Sequence, residues 1–83
     1  MYRIVITRQV ERVLVGLPTQ DAQRILAAIQ QLANTPRPVG TIKLTGSDLW
    51  RIRVGNYRVI YEINDTKLAV TVVRVGHRRD IYR

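Results

Sequence analysis

The chain has 83 residues, with 14 Lys and Arg against 6 Asp and Glu, a formal charge of +8 and 46% apolar residues. A domain this small buries only roughly 60% of the surface its unfolded chain exposes, which excludes a deep enclosed cavity and leaves open surface for any chemistry. The apolar share excludes a disordered tail. Without Cys there is no disulfide framework or thiolate metal site, and the lone His77 cannot build a zinc site, so neither metal nor cofactor is expected. Of the cations only Lys43 and Lys67 are lysines. The arginine bias favours planar, bidentate contacts to phosphate and points to a polyanionic partner. Met1 to Arg8 contains no signal-peptide apolar region, and no run reaches the roughly 18 apolar residues of a membrane span. The expected location is the cytoplasm, away from membranes.

In chain order, Tyr2 to Ile6 is a short β-rich run, and Thr7 is placed to cap a helix in which Val10, Val13, Leu14 and Leu17 recur at helical spacing. Leu17-Pro18-Thr19 breaks that pattern and starts a second helix. Its stripe is Ala22, Ile25, Leu26, Ile29, Leu32 and Ala33, with Gln23, Arg24, Gln30 and Gln31 on the other side. Asn34 and Thr35-Pro36-Arg37-Pro38 end it. The helices read as an antiparallel hairpin, and Pro36 to Gly46 as a mobile loop. Ile42-Lys43-Leu44, Leu49 to Val54, Tyr57 to Ile63 and Leu68 to Val75 are β-branched or aromatic runs at the close spacing of an antiparallel meander. The expectation is a single α+β domain over 1–83, in the order β-α-α-β-β-β with a short tail.

Gly55-Asn56 is a two-residue hairpin signal, with Gly at the first loop position suiting a type II′ turn. If Val54 faces Tyr57, then Ile52 faces Val59 and Trp50 faces Tyr61, and these side chains share one apolar face. The opposite face then carries Arg51 across from Ile60 and Arg53 directly across from Arg58. Like charges so placed cost a few tenths to about 1 kcal/mol when exposed. Closing the last hairpin with Ile63 against Leu68, around Asn64 to Lys67, sets Val73 beside Arg58 and ends the final strand near the Gly55-Asn56 turn. Gly76-His77-Arg78-Arg79 would then emerge close to Arg53 and Arg58, with Tyr82 in reach. Converging guanidiniums orient a phosphodiester and stabilise the charge of its transition state, and RNA carries its own nucleophile in the 2′-OH. The same arginines also fit a solvated face that binds nucleic acid without chemistry. His77 fits either a proton-transfer role or an exposed turn after a strand. Trp50, Tyr57 and Tyr61 read as core, and no carboxylate pair supports a two-acid mechanism.

Leu49 to Tyr61, with Trp50-Arg51-Ile52-Arg53-Val54-Gly55-Asn56-Tyr57-Arg58-Val59-Ile60-Tyr61 at its heart, and Val75-Gly76-His77-Arg78-Arg79-Asp80-Ile81-Tyr82 resemble the RelE side of the RelE/ParE toxin superfamily. The Leu17-Pro18 helix start fits as well. The resemblance implies a RelE-like fold, with the helical hairpin packed on a small, mainly antiparallel twisted sheet. It implies a type II toxin: a ribosome-dependent endoribonuclease that cuts mRNA in the A site, without metal, by 2′-OH attack leaving a 2′,3′-cyclic phosphate. The implied partners are the ribosome, mRNA and a cognate acidic antitoxin, whose complex with the toxin sits on operator DNA. Carried over residue by residue, the catalytic set is Arg53, Arg58, Arg78 and Tyr82, with Arg51, His77, Arg79 and Lys43 as RNA contacts. Arg58 and Arg78 would clamp the scissile phosphate, and Tyr82 would stack on the nucleotide. Well-known members carry lysines at the two strand positions where this chain has Arg51 and Arg53. Arginine releases its proton too reluctantly to serve as a base, so Arg53 is expected to stabilise the 2′-alkoxide instead. Only Arg83 follows Tyr82, so no long C-terminal helix is expected. The alternative, from the ParE side, is a DNA-gyrase inhibitor that acts by binding.

Overall fold

Residues 1–77 are described from a computed structural model of the chain; Arg78, Arg79 and Tyr82 lie outside them. The chain opens with strand β1 (Arg3–Ile6), followed by helices α1 (Arg8–Gly16) and α2 (Thr19–Gln31). Four strands complete it: β2 (Ile42–Lys43), β3 (Leu49–Val54), β4 (Tyr57–Asn64) and β5 (Ala69–His77). The expected order thus gains one strand, because the two residues Ile42 and Lys43 pair with Arg51 and Trp50. The sheet runs β1-β5-β4-β3-β2, with β1 parallel to β5 and every other pair antiparallel.

Thr7 caps α1 as its position implies, its hydroxyl accepting from Val10 N–H at 3.4 Å. Pro18 caps α2 without a side-chain bond, its carbonyl accepting from Ala22 N–H at 3.0 Å. Both helices lie on one side of the sheet, α1 over β5 and α2 over β3. Val10 and Leu14 of α1 and Ile25, Ile29 and Leu32 at and beyond α2 pack there against Ile52, Val59, Tyr61, Val70, Val72 and Val75.

The β3–β4 register is the expected one, with Val54 against Tyr57, Arg53 against Arg58 and Trp50 against Tyr61. Gly55 at φ +59° opens the turn and Asn56 keeps a negative φ, as a type II′ turn requires. The last hairpin departs from expectation. Asn64 pairs with Ala69, and Leu68 sits in the turn at φ +51° rather than in the strand. The Asn64 side chain makes this connection by accepting Lys67 N–H at 2.9 Å. A bulge between Ile60 and Tyr61 then shifts the register again, so that Gly76, and not Val73, lies across from Arg58. β5 still ends beside the Gly55-Asn56 turn, with His77 across from Tyr57.

The 36–41 segment is strapped to the sheet at its opposite end. Tyr61, fully buried, donates its hydroxyl to Pro36 O at 2.7 Å. Arg37 pairs with Asp65 at 3.0 Å and lies over the Trp50 ring, 4.8 Å from its centroid. Tyr2 donates to the same carboxylate at 2.6 Å. Tyr61→Phe removes one of these ties and leaves a carbonyl unpaired, so it is expected to cost about 1 kcal/mol in urea unfolding. The Asp65 carboxyl is held below its usual range, first by the bond from Arg37 and then by that from Tyr2. A carboxyl with a lowered folded pKa stabilises the fold above its unfolded value and loses that contribution as pH falls through the folded one. Wild type should therefore be more stable than Asp65→Asn at neutral pH, and the gap in urea midpoints should close in acid.

Candidate nucleic-acid interface

The side of the sheet away from the helices carries the arginines, and strand pairing arranges them in rows. Arg53, Arg58 and Gly76 form the row nearest the Gly55-Asn56 turn. Ile42, Arg51, Ile60 and Arg74 form the next. Because the period of a strand is two, both rows face the same way. Gly76 contributes no side chain to its row.

The environments of these arginines differ. Arg53 is exposed, whereas Arg58 is only 6% exposed. The expected pair of exposed like charges is thus one open guanidinium beside one recessed one. β4 is flanked by β3 and β5 on both sides, whereas β2 does not reach Arg53. Arg51 is likewise 6% exposed, between Ile42 and Ile60, and its Nε has no hydrogen-bond partner among the described residues. Burial, and then the neighbouring charge of Arg53, lower its pKa. Arg74 is exposed and joins the arginine face opposite Ile60. The sequence reading missed it, because the unbulged register puts Arg74 across from Tyr57. The signal was present in the spacing of Val70, Val72 and Val75, which is two residues and then three.

Lys43 and His77 fall on the helix side. Lys43 pairs with Trp50, its Nζ 6.0 Å from the indole centroid. The His77 ring meets Tyr57 edge-on at 5.7 Å, and the Tyr57 hydroxyl donates to Asp21 of α2 at 3.0 Å. That bond is the first cause of the raised Tyr57 pKa, ahead of burial. Asp21, Arg24, Asn56, Tyr57 and His77 line a small polar pocket of about 130 Å³. The expected contacts thus divide: Arg51, Arg53 and Arg58 share one face, and Lys43 and His77 share the other. Trp50, Tyr57 and Tyr61 pack with the core, as expected. Among the described residues no group of three or more His, Asp or Glu converges as a metal site requires, and no helix is long and apolar enough to cross a membrane.

Comparison with known proteins agrees with this geometry. The family described as ParE toxin of type II toxin-antitoxin system, parDE, matches residues 4–82. Toxin RelG of Mycobacterium tuberculosis is 35% identical over 88 residues, covering 99% of this chain and 97% of that protein. The archaeal RelE–RelB complex from Pyrococcus horikoshii superposes with a TM-score of 0.84 at 35% identity, over 93% of this chain and 94% of that one. The toxin–antitoxin complex RelBE2 of Mycobacterium tuberculosis gives 0.78 at 29% identity, over 93% and 91%.

A buried guanidinium without an acidic partner weighs against the folded state. Arg51→Met, similar in length and apolar, should therefore leave the urea midpoint unchanged or raise it. A clear fall would show that the guanidinium is compensated where it lies.

Proposed function

The chain belongs to the RelE/ParE superfamily of type II toxins, and from that premise we propose that it is an endoribonuclease that cuts messenger RNA in the ribosomal A site and is held inactive by a cognate acidic antitoxin. The observation that carries this reading is the row Arg53–Arg58–Gly76, in which Gly76 lies one residue before the end of β5, the strand that Arg78 follows in the sequence. Two guanidiniums side by side at a strand end, one open and one recessed, suit a phosphodiester better than a diffuse basic surface does.

In the proposed reaction the 2′-oxygen attacks phosphorus, the bond from phosphorus to the 5′-oxygen breaks, and a 2′,3′-cyclic phosphate and a free 5′-hydroxyl result. Arg53 stabilises the forming 2′-alkoxide, and Arg58 with Arg78 holds the non-bridging oxygens as charge builds on them. Tyr82 stacks on the neighbouring nucleotide. Arg51 and Arg74 extend the positive field along the face, and Arg79 adds to it beyond the strand end. The 2′-proton leaves to solvent or to ribosomal RNA, since an arginine does not accept it. The antitoxin partner is supported by the relatives, which were solved as RelE–RelB complexes. The complex would act on operator DNA through the antitoxin, with the toxin itself cytoplasmic.

The ParE description of the matching family keeps one other reading in play, inhibition of DNA gyrase by binding alone. Primer extension on transcripts after induction separates the two. New 5′ ends within codons are expected, and intact transcripts together with stalled gyrase would sink the nuclease reading. Arg53→Ala, at an exposed position, should leave the fold unchanged and reduce cleavage by about 10²-fold or more. Arg78→Ala should do the same, and a variant at either position that cuts normally would remove that residue from the mechanism.

A further inference from the structure

Helix α2 and strands β4 and β5 meet beside the Gly55-Asn56 turn, on the helix side of the sheet. Asp21 and Arg24 come from α2, Asn56 from the turn, Tyr57 from β4 and His77 from β5, and together they line the polar pocket of about 130 Å³. Tyr57 and His77 are partners on one rung of the sheet and their rings stand at 82°, so the pocket has two aromatic walls set almost at a right angle. Asp21 and Arg24, three residues apart, are neighbours on one face of α2. They are placed to pair, yet the ion pair formed among the described residues is that of Arg37 with Asp65. Asp21 Oδ2 accepts the Tyr57 hydroxyl at 3.0 Å, and a carboxylate with about four acceptor sites keeps others for an occupant. The pocket thus offers an acceptor and a donor side by side, neither spent on the other.

The pocket and the arginine row share a strand end. Arg58 pairs with Gly76 and Tyr57 with His77 on consecutive rungs, and consecutive residues of a strand point to opposite faces. The row therefore lies on one face and the pocket on the other, with the Gly55-Asn56 turn as the rim between them. Gly55 lines the pocket, and a Cβ placed on it would meet nothing within 4 Å beyond its chain neighbours. A single strand of nucleic acid can pass that rim, its phosphates on Arg53 and Arg58 and one base turned into the pocket.

We infer that this pocket receives one unstacked guanine base of an RNA strand, with Asp21 and Arg24 reading its edge. A carboxylate only accepts, so it selects a base with two adjacent donors. Guanine supplies them at N1 and N2. Uracil flanks its one N–H with carbonyl oxygens, and adenine and cytosine set an acceptor nitrogen beside their amino group. Arg24 completes the match by donating to guanine O6 and N7, the pairing that arginine makes with guanine in a DNA groove. Tyr57 and His77 supply ring surface against which an unstacked base packs. A free guanine mononucleotide carries the same edge but lacks the flanking phosphates that reach the arginine row. The inference rests on the proposed action on RNA for its occupant. It adds Asp21 and Arg24 as specificity-determining residues and gives them no part in the bond-breaking step.

The test is a titration of the isotope-labelled full chain with four 2′-O-methyl trinucleotides, uridine at both ends and each of the four bases in the middle, followed by amide shifts. The guanine trinucleotide should bind about tenfold more tightly than the other three, with the largest shifts at Gly55 to Tyr57 and at His77. Inosine in the middle position lacks the N2 amino group and should lose most of that preference. Asp21→Asn still accepts the Tyr57 hydroxyl but replaces one acceptor with a donor, and it should bind all four trinucleotides equally. Equal binding of the four by the wild-type chain would overturn the inference, as would a guanine preference that survives Asp21→Asn. So would an inosine trinucleotide that binds as well as the guanine one, a comparison that stands whether or not the variant folds. Guanosine monophosphate binding as tightly as the guanine trinucleotide would overturn it in favour of a free nucleotide. The titration contains no ribosome and no cleavable bond, so its failure is separate from that of the nuclease reading, which primer extension decides.

Discussion

The pairing of β3 with β4 is the constraint on which the rest of the molecule depends. In a strand every second side chain changes face, so a slip of one residue would send Ile52, Val59 and Tyr61 to water and bring Arg53 and Arg58 under the helices. The burial of two or three large apolar side chains is worth several kcal/mol, at about 1.5 to 3 kcal/mol each, so the register is strongly held. Gly55, with a positive φ that L side chains rarely adopt, starts the turn that makes this register continuous. The apolar core and the arginine face are therefore two outcomes of one alignment. The sequence can place Arg53 beside Arg58 only because it also places Ile52 beside Val59.

This explains which features could be read without coordinates. The helices, the β3–β4 register and the arginine face follow from local signals: Thr7 before a periodic run, Pro18 at a helix start, and Gly55-Asn56 between alternating strands. Features that rest on irregularity did not follow. Leu68 looks like a strand residue because it is apolar, yet Asn64 caps a turn that includes it. The bulge at Ile60 and Tyr61 depends on how β5 lies against β4, and it transfers Arg74 from one face to the other. The face of Lys43 could not be assigned because β2 is two residues long and its pairing is set by a loop. The Tyr2–Asp65–Arg37 contact joins three parts of the chain that no motif connects.

Charge is distributed so that stability and phosphate recognition draw on different groups. Asp65 and Asp21 are engaged in contacts that tie loop and helix to the sheet, through Arg37 and Tyr2 in one case and Tyr57 in the other. Neither lies on the arginine face. There Glu62 stands a full row beyond Arg51, opposite Leu49 and Thr71, leaving the positive rows nearest the turn uninterrupted. Arg51 and Arg58 are recessed, with their aliphatic stems continuing the packing around Ile60. This arrangement gives up some folding free energy in exchange for a positive surface organised before any partner arrives.

The parallel pairing of β1 with β5 gives the molecule a sense of time as well as shape. Arg3 aligns with Ala69 and Ile6 with Val72, so among the described residues β1 has no strand beside it until β5 exists. β5 also completes both arginine rows, through Gly76 and Arg74. A nascent chain that has produced both helices and the β3–β4 hairpin therefore still lacks the strand that joins its two ends. Closure over such a long sequence separation is the slow part of folding. The sheet stays incomplete, and its basic rows unfinished, until β5 has been made, which separates the making of this surface from its action.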